Sequence, residues 1–389
     1  MNKNLLLPIL SIGIAALLSS CGTQKFDMYS PEEVNLQSLN RITDNEDNQY
    51  LTPSGGDNNK NLFFAVRDKR GTTNIYQKDN PISAAMSPKT NGKNENTSPT
   101  YCVATNKLAY SGRQEGAAVN DIFMIDVSQG AALRRVTNTP TEAEYFPSLS
   151  SDGRVIVYQR CHGGPNSMDA QIWRQDLQTE SSTLLCQGSV PSISHDGRSI
   201  VFVRYTPDGQ NACLMIMDID GQHQTELTDA KMGLVWKPRF SPDDQQIVFQ
   251  CKKKDKKDDD LYVINRNGMG LTQLTFNKST DAAPYWSNDG YIYFSSDRGG
   301  RQLNYQIWRF RYGTPVQTNY VPAPVPQVTP SRTDTARPAN TGVYHTVQSG
   351  ETITDIARRY NITVRDVVKW NNLTTMTITP GMKLKVSAP

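Results

Sequence analysis

Six prolines recur at near-constant spacing. Pro53, Pro99, Pro147, Pro191, Pro238 and Pro284 lie 46, 48, 44, 47 and 46 residues apart. Four of them open the same phrase: Pro147-Ser-Leu-Ser-Ser-Asp-Gly153, Pro191-Ser-Ile-Ser-His-Asp-Gly197, Pro238-Arg-Phe-Ser-Pro-Asp-Asp244 and Pro284-Tyr-Trp-Ser-Asn-Asp-Gly290. Each phrase runs into a β-branched or aromatic stretch: Val155–Tyr158, Ile200–Val203, Ile247–Phe249 and Tyr291–Phe294. Two degraded copies precede them, Pro99-Thr-Tyr-Cys102 before Lys107–Tyr110 and Pro53-Ser-Gly-Gly56 before Leu62–Phe64. Six units at this spacing are not chance and mark an internal structural repeat.

Within a unit the reading is uniform. A short strand follows the proline. Asp-Gly then makes a hairpin turn, because glycine accepts positive φ and aspartate favours turns. The apolar strand comes next, then a variable loop, then a third strand such as Ile122–Ile125, Gln171–Trp173, Leu214–Met217, Leu261–Ile264 or Gln306–Trp308. A short fourth strand closes the unit, as in Arg135-Val-Thr137, Glu226-Leu-Thr228 and Gln273-Leu-Thr275. Four strands that cannot bury both faces alone, repeated six times, predict a mostly β chain folded as a six-bladed β-propeller. The sixth unit lacks a Leu-Thr ending, while an orphan Leu39-Asn-Arg-Ile-Thr43 precedes the first. We expect Leu39–Thr43 to be the outer strand of the last blade, with Thr314–Gln317 as the competing segment. The Pro-x-Phe/Trp-Ser-x-Asp-Gly phrase and the closing Leu-Thr resemble the propeller of the TolB family of periplasmic proteins. The resemblance covers residues 39–318 and implies a fold more than a function.

The flanks read as separate parts. Leu5–Leu18 is an apolar run of signal-peptide length, too short to span a bilayer. It ends in Leu18-Ser19-Ser20-Cys21, which resembles the lipobox of bacterial lipoproteins. That resemblance implies removal of residues 1–20, acylation of Cys21 as a membrane anchor, and, with Gly22 following, transfer to the outer membrane with the chain facing the periplasm. An ordinary secretory signal is the alternative. Residues 21–38 form the tether, with a short helix expected at Ser30-Pro31-Glu32-Glu33. The other five cysteines, Cys102, Cys161, Cys186, Cys213 and Cys251, match no zinc spacing and read as free or partly paired structural residues. Residues 319–342, rich in proline, read as an extended linker.

Residues 343–389 carry apolar positions Ile353, Ile356, Ala357 and Tyr360 at helical spacing, a second helix from Thr363 with Val364, Val367 and Val368 inward, and alternation at Met382, Leu384 and Val386. Strand, helix, helix, strand over His345–Val386 resembles the LysM domain, a binder of N-acetylglucosamine glycans such as peptidoglycan. His345 stands where that family usually has tyrosine. The resemblance places the sugar groove at Gly350, Glu351, Thr352 and Ile353 together with Met376, Thr377, Ile378, Thr379, Pro380 and Gly381. Backbone amides and carbonyls there pair with N-acetyl groups, and Ile353, Met376 and Ile378 offer apolar contact; alternatively Gly350 and Gly381 are turn glycines and Ile353 is core.

Catalytic signatures are missing. There is no Gly-x-Ser-x-Gly, no His-Glu-x-x-His and no phosphate loop, and the four histidines make no cluster. The formal charge of +3 leaves no electrostatic footprint for nucleic acid. The block Lys252–Asp260 reads as a solvated loop or, less simply, a docking loop. We therefore expect a non-enzymatic outer-membrane lipoprotein with no cofactor and no metal. Its LysM module holds peptidoglycan and its propeller acts as a scaffold for an envelope protein partner. The alternative is a glycan- or peptide-hydrolysing propeller brought to the wall by LysM.

Overall fold

The computed structural model describes residues 37–92, 95–127, 133–312, 343–348, 353, 356–357, 360, 362, 367–368, 370–371, 373 and 378–387. Six four-stranded antiparallel sheets follow one another along the chain. Blade one comprises Gln49–Gly55, Leu62–Arg67, Thr73–Lys78 and Ser87–Pro88; blade two Thr97–Cys102, Lys107–Gly112, Asp121–Asp126 and Arg134–Arg135. Blade three comprises Ala143–Leu149, Val155–Cys161, Gln171–Asp176 and Ser182–Gln187; blade four Ser189–Ile193, Ser199–Tyr205, Ala212–Asp218 and Thr225–Glu226. Blade five comprises Leu234–Phe240, Gln246–Lys252, Asp260–Asn265 and Thr272–Gln273. Blade six takes Asp281–Trp286, Tyr291–Ser296 and Gln306–Arg311 from one end of the chain and Gln37–Arg41 from the other. The ring is thus fastened where Leu39–Thr43 predicts. The competing Thr314–Gln317, the helix at Ser30–Glu33 and the linker lie outside the described residues.

The core lies between blades. One cluster joins Val201, Val203 and Leu214 of blade four to Val235, Phe249 and Tyr262 of blade five. Another joins Val248 and Leu261 of blade five to Trp286, Phe294 and Trp308 of blade six. Tyr293 and Ile307 of blade six meet Tyr50 and Phe64 of blade one, with Ile42 from the closing segment. Second strands are buried on both faces, so they read as unbroken apolar runs instead of alternating ones. Each such side chain contributes about 1.5–3 kcal/mol.

The repeated prolines sit inside the inner strands, not ahead of them as expected. In all six blades the residue before the proline has positive φ: Thr52 (51°), Ser98 (53°), Phe146 (51°), Val190 (49°), Lys237 (52°) and Ala283 (50°). The pairing register slips at the same place in every blade. A proline has no N–H for a ladder, and a bulge on an edge strand is where a sheet tolerates that loss. Several of the freed amides are satisfied by the preceding blade: Val190 donates to Gln159 Oε1 (3.2 Å), Ala283 to Gln250 Oε1 (2.7 Å) and Thr52 to Ser295 Oγ (3.1 Å). This explains polar residues buried at the ends of apolar second strands.

The other motif residues are capping devices. In Ser-x-Asp-Gly the serine hydroxyl accepts from the start of the second strand and the aspartate accepts from the turn, as at Val155 N to Ser150 Oγ (2.9 Å) and Arg154 N to Asp152 Oδ1 (3.0 Å). The closing threonine accepts from the third strand: Ile122 N to Thr137 Oγ1 (2.8 Å), Leu214 N to Thr228 Oγ1 (2.9 Å) and Leu261 N to Thr275 Oγ1 (2.9 Å). Thr43 does the same for Ile307 N (2.9 Å), so blade six is capped by the chain's other end. The five cysteines are free thiols, four of them buried.

The Lys252–Asp260 block is only partly a solvated loop. Asp260 opens the third strand of blade five and is 1% exposed, and Asp259 is also buried. Burial pushes both carboxyls up to about 7. Lys256 donates to Asp260 Oδ2 at 2.8 Å. The strand starts within the charge block, where pairing with Cys251 draws Asp260 inward.

In the C-terminal part, Tyr344–Thr346 pairs antiparallel with Lys383–Lys385, His345 opposite Leu384. Val347, Ile353, Ile356, Ala357, Val367, Leu384 and Val386 form its core, the face predicted from spacing. Asn371 locks helix to strand: its Nδ2 donates to Val367 O and Lys385 O, and its Oδ1 accepts from Lys385 N (2.6 Å). His345 is buried, with Nδ1 3.0 Å from the Tyr360 hydroxyl.

Candidate functional site

The inner strands all run the same way along the central channel, so the channel has an upstream mouth at their starts and a downstream mouth at their ends. The upstream mouth opens on a cavity of about 630 Å³, lined among others by Thr52, Ser98, Tyr145, Phe146, Lys237 and Tyr305. The bulges put four of these residues there, because Thr52, Ser98, Phe146 and Lys237 are the positive-φ residues before the prolines. Lys237 is 7% exposed and its amine stands 4.0 Å from the centroid of the Phe146 ring. Burial, with Arg239 nearby, holds this amine well below the usual lysine range.

The downstream mouth is a smaller cavity of about 290 Å³, lined by Asp57, Tyr101, His195, Arg239, Tyr285 and Asn288 among others. Here the x position of Ser-x-Asp-Gly stitches neighbours. Ser151 Oγ donates to His195 O (2.8 Å). In blade five Asp244 replaces the turn glycine, takes φ 57°, and accepts from His195 N (2.7 Å) and Asp196 N (2.8 Å). Its Oδ1 also lies 3.0 Å from His195 Nδ1. Aspartate tolerates this conformation better than most residues. Asp57 accepts from Asn288 N at 2.7 Å, joining blades six and one. Burial raises the Asp57 carboxyl, against the lowering effect of the Asn288 amide. Burial pulls the His195 imidazole down, but the Asp244 hydrogen bond and charge outweigh it and the net shift is upward.

The histidines do not converge. His162 pairs with Asp169 in its own loop (2.9 Å), and His223 pairs with Asp218 (2.6 Å). Among the described residues no group of three or more His, Cys, Asp or Glu is placed to hold a metal ion, and no helix is long and apolar enough to cross a membrane.

Of the expected groove residues, Gly350, Glu351, Thr352, Met376 and Thr377 lie outside the described residues, as does Cys21. Ile353 is 4% exposed in the core. Ile378 is half-buried against that core, while Thr379, Pro380 and Gly381 are exposed. Gly381 has φ +89°, which a side chain disfavours, and its amide donates to Val347 O (2.8 Å). Thr379 O accepts from Met382 N (3.1 Å). The Thr379–Gly381 turn is therefore a closed, outward loop beside a half-buried isoleucine, able to offer an apolar edge and a threonine hydroxyl to a sugar. Sequence reasoning missed Lys237, Arg239 and Asp57. The only signal was the residue before the repeated proline, occupied by Thr, Ser, Phe, Val, Lys and Ala in the six units. A charge there gains meaning only once the bulge is seen to face the channel.

Two family models match. One, described as the TolB β-propeller domain, matches residues 33–233 and 190–317; the other, the LysM domain, matches residues 345–387. Among curated proteins, the Tol-Pal system protein TolB of Francisella tularensis subsp. mediasiatica (strain FSC147) is 32% identical over 113 residues, which is 29% of this chain and 25% of that protein. The same protein of F. tularensis subsp. holarctica (strain OSU18) matches to the same extent. The chain thus spans about a quarter of the length of these relatives. Among solved structures, a putative TolB from Agrobacterium tumefaciens superposes with TM-score 0.51 at 19% identity, covering 69% of this chain and 91% of that one. An oligogalacturonate lyase in complex with manganese superposes with TM-score 0.50 at 16% identity, covering 74% and 96%. At such identities the likeness is one of fold. The propeller model covers more than half of the residues, and the chain belongs to the TolB β-propeller family, with a LysM domain following the wheel.

Proposed function

We propose that this chain is an outer-membrane lipoprotein that grips peptidoglycan and presents its propeller to a protein partner in the cell envelope. Cys21 carries the lipid, and the chain faces the periplasm. The groove of the LysM domain, Gly350–Ile353 and Met376–Gly381, takes the N-acetylglucosamine glycan. The propeller is a rigid, non-catalytic scaffold, and the loops around its channel are the docking surface. The observation that carries this reading is the presence, on one chain with a TolB-type propeller, of a LysM module whose two-stranded sheet and apolar core are intact. A binding role is also supported by the propeller histidines, whose partners belong to local turns or to a neighbouring blade. One shallow glycan site binds weakly, and a lipid anchor raises its effective concentration at the wall.

The test uses purified peptidoglycan sacculi and the full-length chain. Co-sedimentation that is lost on removing 343–389 is expected, with no soluble muropeptides in the supernatant. Released muropeptides, or pelleting that survives the truncation, sink the proposal. Incorporation of labelled palmitate in cells, abolished by Cys21→Ser, is the expected result for the anchor.

A further inference from the structure

The upstream cavity holds polar groups that the protein does not satisfy. Lys237 is more than nine-tenths buried, and its amine has the Phe146 ring as its neighbour, with no ion pair to any described residue. Thr52 and Thr73 line the same cavity, and their buried hydroxyls have no hydrogen-bond partner in the protein. Arg239, on the other side of Pro238 in the same strand, also forms no ion pair with a described carboxylate; its Nη1 donates to Pro238 O (3.0 Å). Glu95 and Arg67 line the cavity too, without an ion pair to Lys237. Burying this amine gives up its hydration, and contact with one aromatic ring offsets only part of that loss. Retaining such a group in an open cavity makes sense when an anion completes it.

We infer that the upstream channel cavity is a binding site for the carboxylate of a small organic acid with an apolar body. The carboxylate pairs with the Lys237 amine, hydroxyls of the Thr52 and Thr73 type supply further donors, and the apolar body lies against Phe146, Tyr145 and Tyr305. The volume lies within the range of ordinary ligand pockets. A carboxylate is favoured over a neutral ligand because it makes a charge-assisted hydrogen bond where the protein supplies none. Burial keeps the free amine's affinity for a proton low, and an arriving anion raises it.

Isothermal titration of the full-length chain with benzoate and, separately, benzamide separates charge from shape. Benzoate is expected to bind at least tenfold more tightly than benzamide. Lys237→Met keeps the side-chain length, and removing a buried polar group that the protein leaves unpartnered keeps the melting temperature equal or raises it. In that variant the preference for benzoate disappears. Equal affinity for acid and amide, no binding of either, or a benzoate preference that survives Lys237→Met overturns the inference.

Discussion

Blades three to six keep the Ser-x-Asp-Gly/Asp turn, and blades one and two have lost it, yet all six have the same four strands and the same inner bulge. In blade one the turn is rebuilt from Gly55, Gly56 and Asp57–Asn59, with positive φ at both glycines and at Asn58, Asn59 and Asn61. A Cβ on Gly55 would lie 2.3 Å from Asn61 O, and one on Gly56 would lie 2.9 Å from the Tyr293 ring. In blade two Asn106 takes φ 51° and accepts from the Tyr101 hydroxyl (2.7 Å). The threonine cap persists more widely than its motif: in blade one Ile75 N donates to Thr90 Oγ1 (2.9 Å), with Lys89 in place of the usual leucine. What the repeat conserves is therefore a set of backbone hydrogen bonds, for which the motif is one solution. Where the motif is lost, tight glycines and left-handed asparagines replace it.

Removing the closing segment should have the largest effect. Deletion of 37–43 strips Leu39 and Ile42 from the core, about 4 kcal/mol together, and leaves Gln306–Arg311 as an open sheet edge. We expect loss of the single cooperative melt and concentration-dependent aggregation. A melt unchanged by the deletion would show that blade six closes some other way.

The two kinds of turn differ next. Gly55→Ala, strained in φ and blocked by backbone, should cost more than about 2 kcal/mol. Gly197→Ala, in the regular turn of blade four at φ +70°, should cost about 1 kcal/mol, both read by urea unfolding. Equal costs would erase the distinction between rebuilt and regular turns.

The threonine caps come third. Thr228→Val in blade four and Thr43→Val at the closure each leave a buried amide unpaired and should cost about 1–2 kcal/mol. If the closure hydroxyl were worth clearly less than the interior one, Thr43 would be a bystander.

The smallest effect is on pH dependence. Burial, ahead of the opposing Thr139 and Arg160 contacts, pushes Glu144 up to about 7, alongside Asp259 and Asp260 at about 7. These groups hold protons in the fold that the unfolded chain sheds near pH 4. Stability from them is full below that range and declines as pH rises to about 7. The melting temperature should thus be a few degrees higher at pH 5.5 than at pH 7.5, with a smaller difference in Asp259→Asn. His195 acts in the same direction: its raised value stabilises the fold below about pH 6.5 and is lost as pH rises further.

Much of the architecture was legible in residue order alone. Blade number, turn positions, the closing strand at Leu39–Thr43 and the apolar face of the C-terminal helices all follow from local chemistry repeated at fixed spacing: a proline, a turn pair, a β-branched run, a threonine. Such signals survive in one dimension because each depends on neighbours within a few residues. Three features needed the assembled ring. The prolines lie within strands because the inner strand is a sheet edge, which a single unit does not reveal. Asp259 and Asp260 are buried because a neighbouring strand pulls the end of a charge block inward. Lys237 faces a cavity because the bulges of four blades meet there, and the burial of its amine is contributed by residues such as Phe146, 91 positions away. Which backbone bonds to make was written locally; what environment each side chain meets was decided only when the blades closed on one another.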